Sequence, residues 1–200
     1  MPRPQKEKTI KTTVLKTGAV FLAAYLLSLV LWIQVKDLYA HGMVVVASKV
    51  VAGIKGCRLE ELVREGDIIQ ATFSPLGREA GMLVDIPVKT SSYTFNMPLT
   101  VAIMASLYPV VSKRRRAYLE AFLILLAVHM LYIVSLELNQ LTAIFIDRGL
   151  EGPAGPAALL YEYIWSFTDN MIVRFEPFLL GCYLYLRYRT QGMWPPKAIP

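Results

Sequence analysis

Four consecutive cations, Lys113, Arg114, Arg115 and Arg116, separate two apolar runs, 93–111 and 117–138, each long enough to cross a bilayer. Moving several charges through hydrocarbon is prohibitive, so a cationic cluster beside a span stays on the cytoplasmic side. The tetrapeptide is therefore read as a topology anchor. It pins an inner turn and orients the apolar runs on either side of it.

Composition matters here through its distribution. The chain is 55% hydrophobic and 18% charged, with a mean hydropathy of +0.44, more apolar and less charged than an ordinary soluble domain. The excess falls in four blocks, which argues for membrane spans rather than one large water-soluble core. The net charge of +6 does not point to nucleic acid. Five cations lie in residues 1–16, four in 113–116 and three in 187–197. All flank apolar runs, as the positive-inside rule expects, and no nucleic-acid recognition pattern accompanies them.

Residues 1–16 form a basic cytoplasmic N-terminus, and residues 17–35 carry no charge. Nineteen residues at about 1.5 Å each match a hydrocarbon core of about 30 Å. The run exceeds a signal-peptide core and continues into Gln34, Lys36 and Asp37 without a small-x-small cleavage site. The first span is thus expected to be an uncleaved anchor.

Residues 36–92 hold seven Lys/Arg and seven Asp/Glu, a balance suited to a small outer (periplasmic) domain. Residues 37–55 read as a helix continuing from the first span, ended by Gly53 and Gly56. Then the period changes to two: Ile69, Ala71 and Phe73, and later Met82, Val84, Ile86 and Val88, alternate with other residues. Turn chemistry over 74–81 joins them into an expected β-hairpin, with Pro87 near an edge.

The second span, 93–111, leads through the turn 112–116 to the third, 117–138. Glu120 is one turn beyond Arg116, spaced for an i, i+4 ion pair. His129 and Glu137 are intramembrane polar candidates, since an ionisable group at depth is a functional candidate by default. The outer loop 139–156 is rich in Gly and Pro towards its end. The block 157–188 is too long for one straight span. It is divided into an interfacial helix, 157–168, and a fourth span, 169–188, bent at Pro177 and followed by a cytoplasmic tail, 189–200.

Glu162, Asp169 and Glu176 are spaced by seven and share a face if the helix is continuous. With Arg174 they form a charged collar of partner-contact candidates. Arg174 would pair with Glu137, with Asp147 or with a partner protein. The fold class is thus mainly α: an integral membrane protein with four transmembrane helices and a small outer α+β segment containing a β-hairpin. Both termini are placed in the cytoplasm.

The order of parts, with Tyr93-Thr94-Phe95-Asn96-Met97-Pro98-Leu99, the Tyr161-Glu162-Tyr163 segment and Pro177-Phe178-Leu179-Leu180-Gly181, resembles the exosortase H-associated membrane protein family over most of the chain. The resemblance implies a bacterial inner-membrane protein encoded beside an exosortase, a membrane enzyme that processes proteins with a C-terminal sorting signal. It implies a non-enzymatic accessory role with that enzyme as partner. Exosortases use a membrane-embedded Cys with Arg and His partners, and this chain has no recognisable version of that set.

Two other readings stay open at this stage. One is a small transporter or channel subunit with a polar path near His129, Glu137, Asp169 and Arg174. The other is a thiol enzyme using Cys57 or Cys182, which lack a nearby activating His in sequence. No metal cluster, phosphate loop or triad spacing is visible, so no cofactor and no catalytic residue is expected. The expected partners are the bilayer and a membrane protein, not nucleic acid.

Overall fold

A computed structural model describes residues 4–76, 82–108, 115–152 and 155–192. Lys113 and Arg114, residues 77–81 of the expected turn, the end of the second expected span from Pro109 and the tail beyond 192 lie outside the described residues. The elements are α1 (Pro4–Lys55), β1 (Cys57–Glu65), β2 (Ile68–Pro75), β3 (Val84–Lys89), α2 (Ser91–Thr94), α3 (Asn96–Ser106), α4 (Arg115–Asp147), α5 (Pro156–Phe167), a π-helical segment (Thr168–Val173) and α6 (Arg174–Gly192). The chain is mainly helical with one small antiparallel sheet.

Two compact units emerge. One comprises residues 1–34, 96–124 and 176–200; the other comprises 35–95 and 125–175. In the first, Met104, Ala117, Ala121, Leu180, Leu184 and Tyr188 form the core. Ser28 of α1 donates to the Pro98 carbonyl at 3.1 Å, and Arg187 pairs with Glu120 at 3.0 Å. The cation that pairs with Glu120 is therefore on α6, not Arg116 one turn earlier. A Cβ added at Gly181 would meet Ile103 Cγ2 at 2.7 Å, so α6 approaches α3 as closely as glycine allows.

In the second unit the sheet order is β1-β2-β3. The register pairs Ile69 with Val88, Ala71 with Ile86 and Phe73 with Val84. All six are buried on one face. They pack against the second part of α1, through Val44, Ala47 and Val51, and against Ile133, Leu138 and Leu141 of α4. Full burial of such side chains contributes roughly 1.5–3 kcal/mol each. This is how a hairpin too small to stand alone in water is held. The other face carries the exposed Thr72–Asp85 hydrogen bond at 2.7 Å.

The sheet has a strand beyond the expected hairpin. β1 and β2 meet through a two-residue turn, Gly66-Asp67, with Gly66 at φ 61°. Glycine at the first central position suits a type II′ hairpin, whose twist matches the strands. Gly56, at φ 59°, caps α1, whereas Gly53 stays within the helix.

The helices also depart from four uniform spans. Among the described residues two helices, α1 and α4, are long and apolar enough to cross a membrane. The expected second span is not one helix: α2 ends at Thr94 and α3 begins at Asn96. Pro98 explains the break, because it has no N–H for the Thr94 carbonyl and its ring crowds that oxygen. Starting afresh at Asn96 places Pro98 in a first turn, where it is tolerated. The same rule operates at Pro177, whose i−4 carbonyl belongs to Val173, the last residue of the π-helical segment.

Candidate functional site

Glu176 does not share the exposure of the other collar residues. Glu162 is exposed on α5, Asp169 is half-buried in the π-helical segment and Arg174 is exposed at the start of α6. Glu176 is buried at 2% exposure and accepts a hydrogen bond from Asn96 Nδ2 at 3.2 Å. The widened turn between 168 and 173 is the reason. Hydrogen bonds from i to i+5 lengthen the turn, so a spacing of seven no longer returns to one side. Glu162, Asp169 and Arg174 belong to the second unit; Glu176 belongs to the first. Arg174 makes no ion pair among the described residues, so neither Glu137 nor Asp147 receives it.

Glu137, one of those carboxylates, is fully buried on α4 and accepts from Ser48 Oγ of α1 at 2.7 Å. His129, two turns earlier, is also fully buried. Its Nδ1 shares a 2.7 Å hydrogen bond with the Tyr39 hydroxyl. The imidazole lies edge-on to the Tyr39 and Tyr93 rings, at 5.8 and 5.4 Å. The aromatic series continues through Tyr132 to Trp165, with centroids 5.5 and 5.1 Å apart. Edge-on aromatic pairs of this kind add about 0.5–1.5 kcal/mol beyond area burial. Both polar candidates are thus held by side-chain partners within a packed interior.

Residues 11–188 match the family described as exosortase H-associated membrane protein. The chain belongs to that family. No curated protein and no solved structure shows significant similarity to it.

In this exosortase H-associated protein the two thiols sit in different settings. Cys57 opens β1 and is buried; burial pushes its thiol up, against a smaller opposing pull from the nearby Lys55 ammonium. A raised thiol pKa lowers the thiolate fraction that nucleophilic chemistry requires. Cys182 is exposed on α6. Among the described residues no group of three or more His, Cys, Asp or Glu side chains is placed to hold a metal ion.

Several residues of the second unit escaped sequence reasoning. Asp67 in the hairpin turn accepts from Thr90 Oγ1 at 2.7 Å, from the Ser91 amide at 3.0 Å and from the Ser91 hydroxyl. It ties the β1–β2 turn to the start of α2. Desolvation pushes this carboxyl up, but the Ser91 and Thr90 hydrogen bonds outweigh it and hold the group below its ordinary value. Arg64 of β1 reaches Asp37 of α1, donating to both its carboxylate and its carbonyl. Opposite charges 27 positions apart carry no sequence signal. The Gly66-Asp67 pair did carry one, as a two-residue hairpin turn.

Proposed function

We propose that this family member is a non-enzymatic, multi-pass inner-membrane protein that docks an exosortase-type enzyme and supports its protein-sorting reaction. The observation carrying the reading is the family match over residues 11–188, which associates the chain with an exosortase system in a membrane.

Apolar exposure supports the membrane setting. Leu22, Leu26, Leu27, Val30 and Leu31 of α1 are all exposed, as are Leu119, Phe122 and Leu123 of α4 and Phe178, Leu179 and Leu186 of α6. Leucine-rich outward faces of this extent suit hydrocarbon. We place four crossings, the first at 17–35, with both termini and Lys113–Arg116 in the cytoplasm. The Tyr39–His129 and Ser48–Glu137 hydrogen bonds set α4 from His129 onward beside the outer part of α1, so the third crossing ends before His129 rather than at 138. Residues 36–92, 139–156 and 157–168 then lie outside. α1 continues for 20 residues past the first span, about 30 Å at helical rise. That length sets the outer sheet against a rigid stalk.

The docking surface proposed is the outer charged surface at Glu162, Asp169 and Arg174. The exposed Arg174, which has no ion pair among the described residues, is its strongest candidate contact. A photo-crosslinking amino acid at position 162 or 174, in cells expressing a neighbouring exosortase, tests this. The expected product is a crosslink to the enzyme from these positions and not from Thr72 on the opposite outer sheet face. Crosslinks absent from 162 and 174 but present from 72 would overturn the placement.

A further inference from the structure

A cavity of about 340 Å³ lies in the second unit, between the end of α1, the end of α4 and the start of α5. That volume is at the lower end of the roughly 300–1,000 Å³ of small-molecule sites. Its most unusual wall is Lys55, the last residue of α1, whose side chain is only 8% exposed. Lysine is almost never so deeply placed unless paired. Its ammonium lies 5.3 Å from the Tyr161 ring centroid and 6.0 Å from that of Phe145, so two rings help to hold the charge.

The partner of Lys55 is a carboxylate from a glycine-rich loop. Glu151 Oε1 accepts from Lys55 Nζ at 2.7 Å, and the Glu151 side chain is 35% exposed. Glu151 is flanked by Gly152, and Gly155 lies at the N-cap of α5 with no side-chain cap. Gly152, Gly155, Thr142 and Tyr161 line the cavity with the ion pair. The cation is thus embedded in helices and rings, whereas its anion is loop-borne and reachable from solvent.

From this asymmetry we infer that the cavity is a carboxylate-binding site in which Glu151 is a resident stand-in that an incoming carboxylate replaces on Lys55. The lysine supplies the fixed charge, the Tyr161 ring the apolar wall, and the glycines the backbone room for a ligand beside them. Glu151 shows that a carboxylate fits on the ammonium and, once displaced, is left in water rather than buried. The ligand is either a small free carboxylic acid or the C-terminus of a peptide.

Equilibrium dialysis with radiolabelled succinate, using the full chain in detergent, tests the assignment. One saturable site per chain is expected, abolished by Lys55→Met and at least tenfold tighter in Glu151→Gln, which removes the competing carboxylate. If Lys55→Met fails to fold, the Glu151→Gln comparison still decides. Displacement of succinate by acetyl-trialanine, but not by its C-terminal amide, assigns the site to a peptide C-terminus. Displacement by neither peptide, with saturable succinate binding, assigns it to a small free acid. Absence of saturable binding in both wild type and Glu151→Gln overturns the proposal, as does equal affinity in those two proteins or equal displacement by inorganic phosphate.

Discussion

Asp67 answers three donors with one carboxyl group, and its charge state follows from that. Its folded pKa lies below the ordinary value of 3.8 because the Thr90 and Ser91 bonds outweigh desolvation. The stability it contributes is therefore fully present above the unfolded value and lost as pH falls through the folded one. Thermal unfolding in detergent should show Asp67→Asn less stable by about 1 kcal/mol at pH 7, with the difference shrinking as pH falls below about 4. A difference that stays constant from pH 7 to 3 would assign Asp67 no titrating role. Ser48 offers a second test. Ser48→Ala strips the buried Glu137 carboxyl of its only hydrogen-bond donor among the described residues, which should cost about 1–3 kcal/mol. A melting temperature equal to wild type would count against that bond. At this scale sequence singled out His129 and Glu137, which are buried, but not Tyr39 or Ser48, which hold them. Those contacts join positions 90 and 89 apart, and a single chain carries no local pattern for such a pair.

Helices and strands were legible where periodicity alone decides them, and less so where one backbone atom decides. The alternation from Ile69 to Phe73 and from Val84 to Val88 marked β2 and β3. β1 was obscured because Arg58, Glu60, Glu61, Arg64 and Glu65 put charge through most of its length. The π-helical segment had no hydropathy signature; it follows from the missing N–H of Pro177, and Glu176 beyond it is buried rather than part of an exposed collar. Gly181 tests the packing between α3 and α6. Gly181→Ala drives a methyl into Ile103 Cγ2, and overpacking should cost about 1–3 kcal/mol. The double variant with Ile103→Ala should lose less than the sum of the single changes. Strict additivity in denaturation measurements would mean that the two side chains do not meet. In the β1–β2 turn, Gly66→Ala places a Cβ at positive φ and should cost about 1–2 kcal/mol.

Across the whole chain, the two long apolar helices and the family match make a membrane protein of an exosortase system. Orientation was read from charge alone, because the basic stretches beside apolar runs obey a rule that needs no tertiary structure. Partnership was not legible in that way: an exposed arginine or a leucine-rich face does not name what covers it. The orientation predicts that single cysteines at positions 8 and 116, in a chain lacking Cys57 and Cys182, resist a membrane-impermeant maleimide in intact spheroplasts. A cysteine at position 162 should react. The central claim is association with an exosortase-type enzyme, and co-expression with separate affinity tags followed by size-exclusion chromatography in mild detergent tests it most directly. Co-elution of the two chains in one peak, weakened by Arg174→Glu, is expected. Separate elution of both chains, each monodisperse and folded, would contradict it.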